Sequence, residues 1–167
     1  PGMRIFSANL PVHQVVAARL PKAEARRRLN LPPAAPLLLM FGIIRHYKGL
    51  NILLDALGEL KKDGLTPLLQ VAGEFWQDEQ GYRAQIERLG LQAQVFLENR
   101  FIPNEELGVF FSAADLYAAP YVGGTQSGAI RIVLEFGLPV LASDLIAADL
   151  PVASAQIWIH PAGDAGE

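Results

Sequence analysis

From Pro36 onward, short apolar runs closed by glycine or proline alternate with stretches whose leucines recur at helical spacing, and few folds accept that pattern. Residues 36–42 read PLLLMFG, a continuous apolar run of the kind a parallel strand needs when both of its faces are buried. The period then changes. Leu50, Leu53, Leu54, Leu57 and Leu60 share one helical face, and Lys61-Lys62-Asp63-Gly64 supplies the cationic last turn and the glycine that close a helix. The cycle repeats with a strand at 67–73, a helix at 79–89 stopped by Gly90, and a short strand at 95–97. Pro103-Asn104-Glu105-Glu106 opens a further helix with acidic residues in its first turn; a strand at 115–120, a helix at 128–136, a strand at 138–142 and an edge strand at 156–160 follow. Strands separated by single short helices require right-handed crossovers. The predicted fold is therefore a doubly wound parallel α/β sheet with helices on both faces.

The rest of the chain adds little to that core. Residues 3–8 read as a short strand, and 22–29 as a helix ended by Pro32-Pro33, with Arg26, Arg27 and Arg28 forming a solvated basic face. At 167 residues, 51% of them hydrophobic, the chain fits one domain with a real core. A net charge of -3 gives no general attraction to nucleic acid or to an anionic membrane, so any anion must be held by a local site. The absence of cysteine excludes disulfides, thiolate metal sites and cysteine nucleophiles. No apolar stretch approaches the roughly 20 residues that span a bilayer, so no integral membrane segment is expected; a chain without cysteine is compatible with a reducing compartment, and the cytoplasm is the default location. His13, His46 and His160 are widely spaced and unaccompanied by carboxylates at ligand spacing, so no metal site is expected, and no Ser-His-Asp arrangement is legible.

In an open α/β sheet ligands bind beyond the carboxyl ends of the strands, which directs attention to the loops that follow them. The loop after Phe41-Gly42 carries Arg45 and Lys48 just before a helix N-terminus. A guanidinium fork, an ammonium and free helix N–H groups together suit a diphosphate; two exposed cations that merely solvate a loop are the alternative. The loop Tyr121-Val122-Gly123-Gly124-Thr125-Gln126-Ser127-Gly128 has the composition of a phosphate cradle, since glycines admit close approach and Thr125, Gln126 and Ser127 supply donors. An ordinary glycine-rich connection with a Ser or Thr cap is the alternative. The loop is neither GxxxxGK[ST] nor GxGxxG, which argues against a P-loop NTPase and a standard dinucleotide fold. Glu74 and Trp76 after one strand, and Arg100 to Pro103 after another, could border a base or a sugar; a solvated carboxylate and a tryptophan packed on a helix account for the first pair equally well.

Taken in order, FGIIRHYKGLNILLDAL, LLQVAGEFW, NRFIPNEELGVFFSAADLYAAPY and GGTQSGAIRIVLEFGLPVLASD resemble the C-terminal domain of family-4 retaining glycosyltransferases, over roughly residues 25–144. The resemblance implies the GT-B architecture and a nucleoside diphosphate sugar, UDP- or GDP-linked, as substrate, with no cofactor and no metal. It implies that Arg45 and Lys48 stabilise the leaving diphosphate, although Arg45 sits two places later than the family's common Gly-Arg dipeptide. It further implies donor contacts from Gly42, Glu74, Phe101, Ile102, Gly124, Thr125, Gln126, Ser127 and Gly128, with the base received near Phe101 and Ile102 through backbone groups.

Many members carry two glutamates seven residues apart in the last region, whereas Gly124 and Ile132 stand at those places here; a TQSG variant of this loop is also familiar in the family. Glu135, one turn beyond Ile132, reads as an acidic residue on a solvated helix face. The resemblance implies an acceptor-binding N-terminal domain as partner and a closing C-terminal helix, both expected to be absent from this chain. The fragment alone is therefore expected to be inactive, as the donor-binding half of an enzyme of polysaccharide or glycolipid biosynthesis, in the cytoplasm or peripheral to the inner face of the membrane. A domain that kept the fold as an interaction module without catalysis, and part of a nucleotide-sugar epimerase, are the competing readings.

Overall fold

A computed structural model describes residues 18–123, 127–147 and 157–163. Six strands, β1 Leu37–Phe41, β2 Leu68–Ala72, β3 Val95–Glu98, β4 Leu116–Ala119, β5 Val140–Ser143 and β6 Ile157–His160, form one sheet in the order β3-β2-β1-β4-β5-β6. Every pairing is parallel. This is the doubly wound order, with its topological switch between β1 and β4. The strand predicted at residues 3–8 lies outside the described residues.

The helices are α1 Lys22–Arg28, α2 Leu50–Lys62, α3 Glu79–Arg88, α4 Asn104–Ala113, α5 Gly128–Glu135 and the single turn α6 Asp144–Ala147. The leucine stripe of α2 meets Met40, Leu69 and Val71 together with Tyr82 and Ile86 of α3, which covers one face of the sheet. On the other face, Phe110 and Phe111 of α4 and Ile130 and Val133 of α5 pack on Leu39, Phe41, Tyr117 and Val140. Both faces are thus buried, which is why β1 reads as an unbroken apolar run and β2 as one interrupted only by the buried Gln70, rather than as alternating ones.

The basic face assigned to α1 requires correction. Arg26 is only 3% exposed: its guanidinium donates to the carbonyls of Ala113 at 3.0 Å, Pro33 at 2.8 Å and Ala35 at 2.9 Å, and pairs with Asp115 at 2.6 Å. Asp115 also accepts from Lys22 and from the backbone N–H of Leu37. This cluster fastens α1 and the start of β1 to the turn before β4. A buried guanidinium is tolerable only when nearly every donor is taken up, as happens here. Arg27 and Arg28 remain exposed, as expected.

Candidate functional site

The connections leaving β1 and β4 meet at the carboxyl edge of the sheet, beside the switch point. After Phe41 the chain passes through Gly42, a 3-10 turn at His46–Lys48, and Gly49 into α2. Gly49 has φ +71, and a Cβ there would lie 1.9 Å from the carbonyl oxygen of Pro120, at the end of β4. Only glycine permits that approach and that backbone conformation together. The contact is reinforced by the N–H of Val122 donating to the carbonyl of Tyr47 at 2.8 Å, and by the Tyr47 and Tyr121 rings meeting edge to face at 5.8 Å.

Between these loops lies a cleft of about 240 Å³ lined by Phe41, Gly42, Tyr47, Lys48, Ser127 and Ile132, among others. Lys48 is 5% exposed, and its ammonium donates to the carbonyl of Phe41 at 2.8 Å and sits 5.4 Å from the centroid of the Tyr121 ring. Gly42, at φ +103, makes room for it, since a Cβ there would lie 3.0 Å from Nζ. An ammonium has three donors and one is spent on Phe41. An incompletely partnered, largely desolvated cation of this kind holds an anion far more strongly than one in open solvent. Neither the Gly49 cap of α2 nor the Ser127 cap of α5 lends a side chain to the first-turn N–H groups, so two helix dipoles add positive potential near the cleft.

Beneath the cleft is a layer of hydroxyls. Tyr121, which is buried, exchanges a 3.0 Å hydrogen bond with Ser127, and the hydroxyl of Tyr117 donates to the carbonyl of Phe41 at 3.4 Å. Burial, reinforced by the neighbouring Tyr121, pushes the Tyr117 hydroxyl well above the ordinary tyrosine range, so it stays neutral. Sequence reasoning gave neither tyrosine a role of its own, although Tyr121 opens the glycine-rich loop. An aromatic at the end of an apolar run reads as core, and only the sheet order shows Tyr121 facing Lys48.

The remaining residues named from the sequence are distributed unevenly. Arg45 is not in the cleft lining: its guanidinium stacks over Trp76 at 4.4 Å from the ring centroid, on the β2 side of the loop. Ile44 and Phe75 form a bridge between the two loops, held by the N–H of Ile44 donating to the carbonyl of Glu74 at 2.8 Å. Trp76 therefore packs on a cation rather than on a helix. No carboxylate among the described residues pairs with Arg45. Glu74 meets the first loop through its backbone carbonyl. Phe101 is 68% exposed, Ile102 is buried in the core beside Phe41 and Tyr121, and Arg100 is engaged by Glu98 and Glu106. Gly128 and Ser127 line the cleft; Gly124, Thr125 and Gln126 lie outside the described residues. Ile132 presents an aliphatic wall where many glycosyltransferases of the resembled family carry a carboxylate. Among the described residues no group of His, Asp or Glu side chains could hold a metal ion, and no helix is long and apolar enough to cross a membrane.

Comparisons with known proteins identify the family and the fold. The model of the family described as glycosyl transferases group 1 matches residues 21–149. A D-inositol 3-phosphate glycosyltransferase of Segniliparus rotundus is 33% identical over 139 residues, which are 81% of this chain and 30% of that protein. The chain thus spans under a third of the length of this curated relative. HepE of Anabaena, solved in complex with UDP and glucose, superposes with a TM-score of 0.71 at 23% identity, over 87% of this chain and 40% of HepE. The C-terminal domain of the group 1 glycosyl transferase LpcC from Francisella tularensis superposes with a TM-score of 0.73 at 16% identity, over 94% of this chain and 82% of that domain. The fold is that of the Rossmann-like C-terminal half of a GT-B glycosyltransferase.

Proposed function

Because the chain belongs to the group 1 glycosyl transferases, we propose that it is the donor-binding half of a retaining enzyme that moves a sugar from a nucleoside diphosphate, UDP or GDP, to an acceptor. The observation that carries the reading is the buried ammonium of Lys48, aimed into a cleft between the β1 and β4 connections at the sheet's switch point. As the bond between the anomeric carbon and the phosphate oxygen breaks, negative charge grows on the departing diphosphate. Lys48 and the N-termini of α2 and α5 would stabilise that charge, with Arg45, stacked over Trp76 on the β2 side of the loop, supplying a guanidinium that no described carboxylate pairs. Gly42, Ser127 and Gly128 let phosphate and sugar approach the backbone, with Gly124, Thr125 and Gln126 belonging to the same loop in sequence; Glu74 and the backbone of Phe101 and Ile102 border the outer part of the donor.

An N-terminal GT-B domain supplies the acceptor site in the whole protein, so this chain alone binds donor and performs no turnover. Polysaccharide or glycolipid assembly from cytoplasmic nucleotide sugars is the setting that fits, with a peripheral place at the inner membrane face when the acceptor is a lipid. A domain that binds nucleotide without transfer is the second reading, favoured by the aliphatic Ile132 and Ala129 wall.

Calorimetric titration of UDP, GDP and ADP into this chain tests donor binding. Millimolar or tighter binding of one nucleotide, abolished by Lys48→Met and weakened by Arg45→Ala, supports the site; binding of none of the three contradicts it. Transfer by a whole protein carrying this domain separates the enzyme from the binding module.

A further inference from the structure

Ser127 occupies the N-cap position of α5, where a serine hydroxyl ordinarily accepts from the N–H of the second or third helical residue. It does not do so here: no side-chain cap is made, and the hydroxyl is 3.0 Å from that of Tyr121. Tyr121 is 1% exposed, and its ring face lies 5.4 Å from the Lys48 ammonium. One buried side chain therefore touches a group from each wall of the cleft, the cation of the β1 connection and the hydroxyl at the head of α5.

We propose that Tyr121 is a positioning residue of the donor site: its ring sets the place of the Lys48 ammonium, and its hydroxyl draws Ser127 away from the helix cap. This rests on the donor-site reading given above. The physical logic is competition. Released from Tyr121, the Ser127 hydroxyl has an obvious alternative in the N–H of Ala129, the second residue of α5, since that of Ile130 already donates to the Ser127 carbonyl at 3.2 Å, and taking it would satisfy a donor that otherwise faces an incoming phosphate. Holding Ser127 on Tyr121 gives up a helix cap and keeps that donor free. The Tyr117 hydroxyl, beside Tyr121 and Ser127, stays neutral through burial, so no phenolate forms under the cleft to repel an anion.

The two halves of the role separate by substitution. Tyr121→Phe keeps the ring against Lys48 and frees Ser127; Tyr121→Leu removes both contacts. With UDP as titrant, Tyr121→Phe is expected to weaken binding about tenfold, a loss equivalent to about 1.4 kcal/mol. Its urea midpoint should be unchanged or higher, because α5 gains a cap. In a Ser127→Ala background the same Tyr121→Phe change should have no further effect on affinity, whereas Tyr121→Leu weakens binding in both backgrounds through Lys48. A purely structural tyrosine would lower affinity and stability together. Equal effects of Tyr121→Phe with and without Ser127, or wild-type affinity in Tyr121→Phe, would overturn the role of the hydroxyl. Wild-type affinity in folded Tyr121→Leu would overturn the role of the ring. Failure of the unaltered chain to bind UDP, GDP or ADP would overturn the donor-site reading itself and this inference with it.

Discussion

Gly49→Ala tests how tightly the cationic loop is seated on β4, and Gly64→Ala provides its control. Both glycines hold a left-handed backbone, at φ +71 and φ +79, so alanine at either pays the same conformational strain, about 1–2 kcal/mol. Their surroundings differ completely. A Cβ at Gly64 meets nothing within 4 Å, whereas at Gly49 it would lie 1.9 Å from the carbonyl oxygen of Pro120 and 3.0 Å from its carbon. That overlap is with backbone, so it is relieved only by separating the two connections, at a further cost of about 1–3 kcal/mol. Gly49→Ala should therefore destabilise by about 2–5 kcal/mol, a large part of the 5–15 kcal/mol typical of a whole domain. With a urea slope of about 2 kcal/mol/M, the midpoint falls by about 1–2.5 M, against about 0.5–1 M for Gly64→Ala. The same separation moves Lys48 relative to Ser127, so UDP affinity should fall in Gly49→Ala and hold in Gly64→Ala. Equal urea midpoints for the two variants would refute the reasoning, because strain without close approach would then account for both.

Three further outcomes are expected. Burial alone would raise the Asp115 carboxyl, but hydrogen bonds from Lys22 and the Leu37 N–H and the charge of Arg26 outweigh it and hold it below the usual range. A depressed carboxylate contributes stability that is complete above the ordinary value near 4 and is lost as pH falls through the lower folded value. The urea midpoint should decline below about pH 5, with a shallower decline in Asp115→Asn; Glu79 and Glu106, also lowered, supply the remainder. Tyr82 carries a buried hydroxyl without a partner among the described residues, so Tyr82→Phe should leave stability unchanged or raise it by up to about 1 kcal/mol in urea melts; a clear loss would mean the hydroxyl is satisfied. In a whole enzyme carrying this domain, Lys48→Ala should lower kcat by about 10²–10³, or about 3–4 kcal/mol of barrier, measured by donor turnover; unchanged turnover would remove Lys48 from the mechanism.

Strand β1 and helix α2 were legible because burial on both faces forces a continuous apolar run and burial on one face forces a 3.6-residue period. Their sequence imprint is direct. Gly42 and Lys48, singled out in the loop after β1, do line the cleft, whereas Arg45 does not. The fates of Arg26 and Arg45 were not legible. Neighbours in sequence made Arg26 one of three solvated arginines, and only the packing of α1 against the Ala113–Asp115 turn buries it. Arg45 and Trp76 stand 31 residues apart and meet because β1 and β2 run in register to adjoining loops. The contacts of Tyr121, named only as the start of the glycine-rich loop, were not legible because its partners, Lys48 and Ser127, come from two connections that the β1 to β4 crossover brings together.

The most direct test of a donor site at the switch point is a crystal structure of this chain with UDP. The account expects the diphosphate in the cleft, with one of its oxygens within hydrogen-bond reach of Lys48 Nζ and another facing Ser127 and the first turn of α5. A nucleotide bound elsewhere, for instance in the groove between α1 and α4 lined by Gln70 and Phe110, with the Lys48 cleft empty, would contradict it.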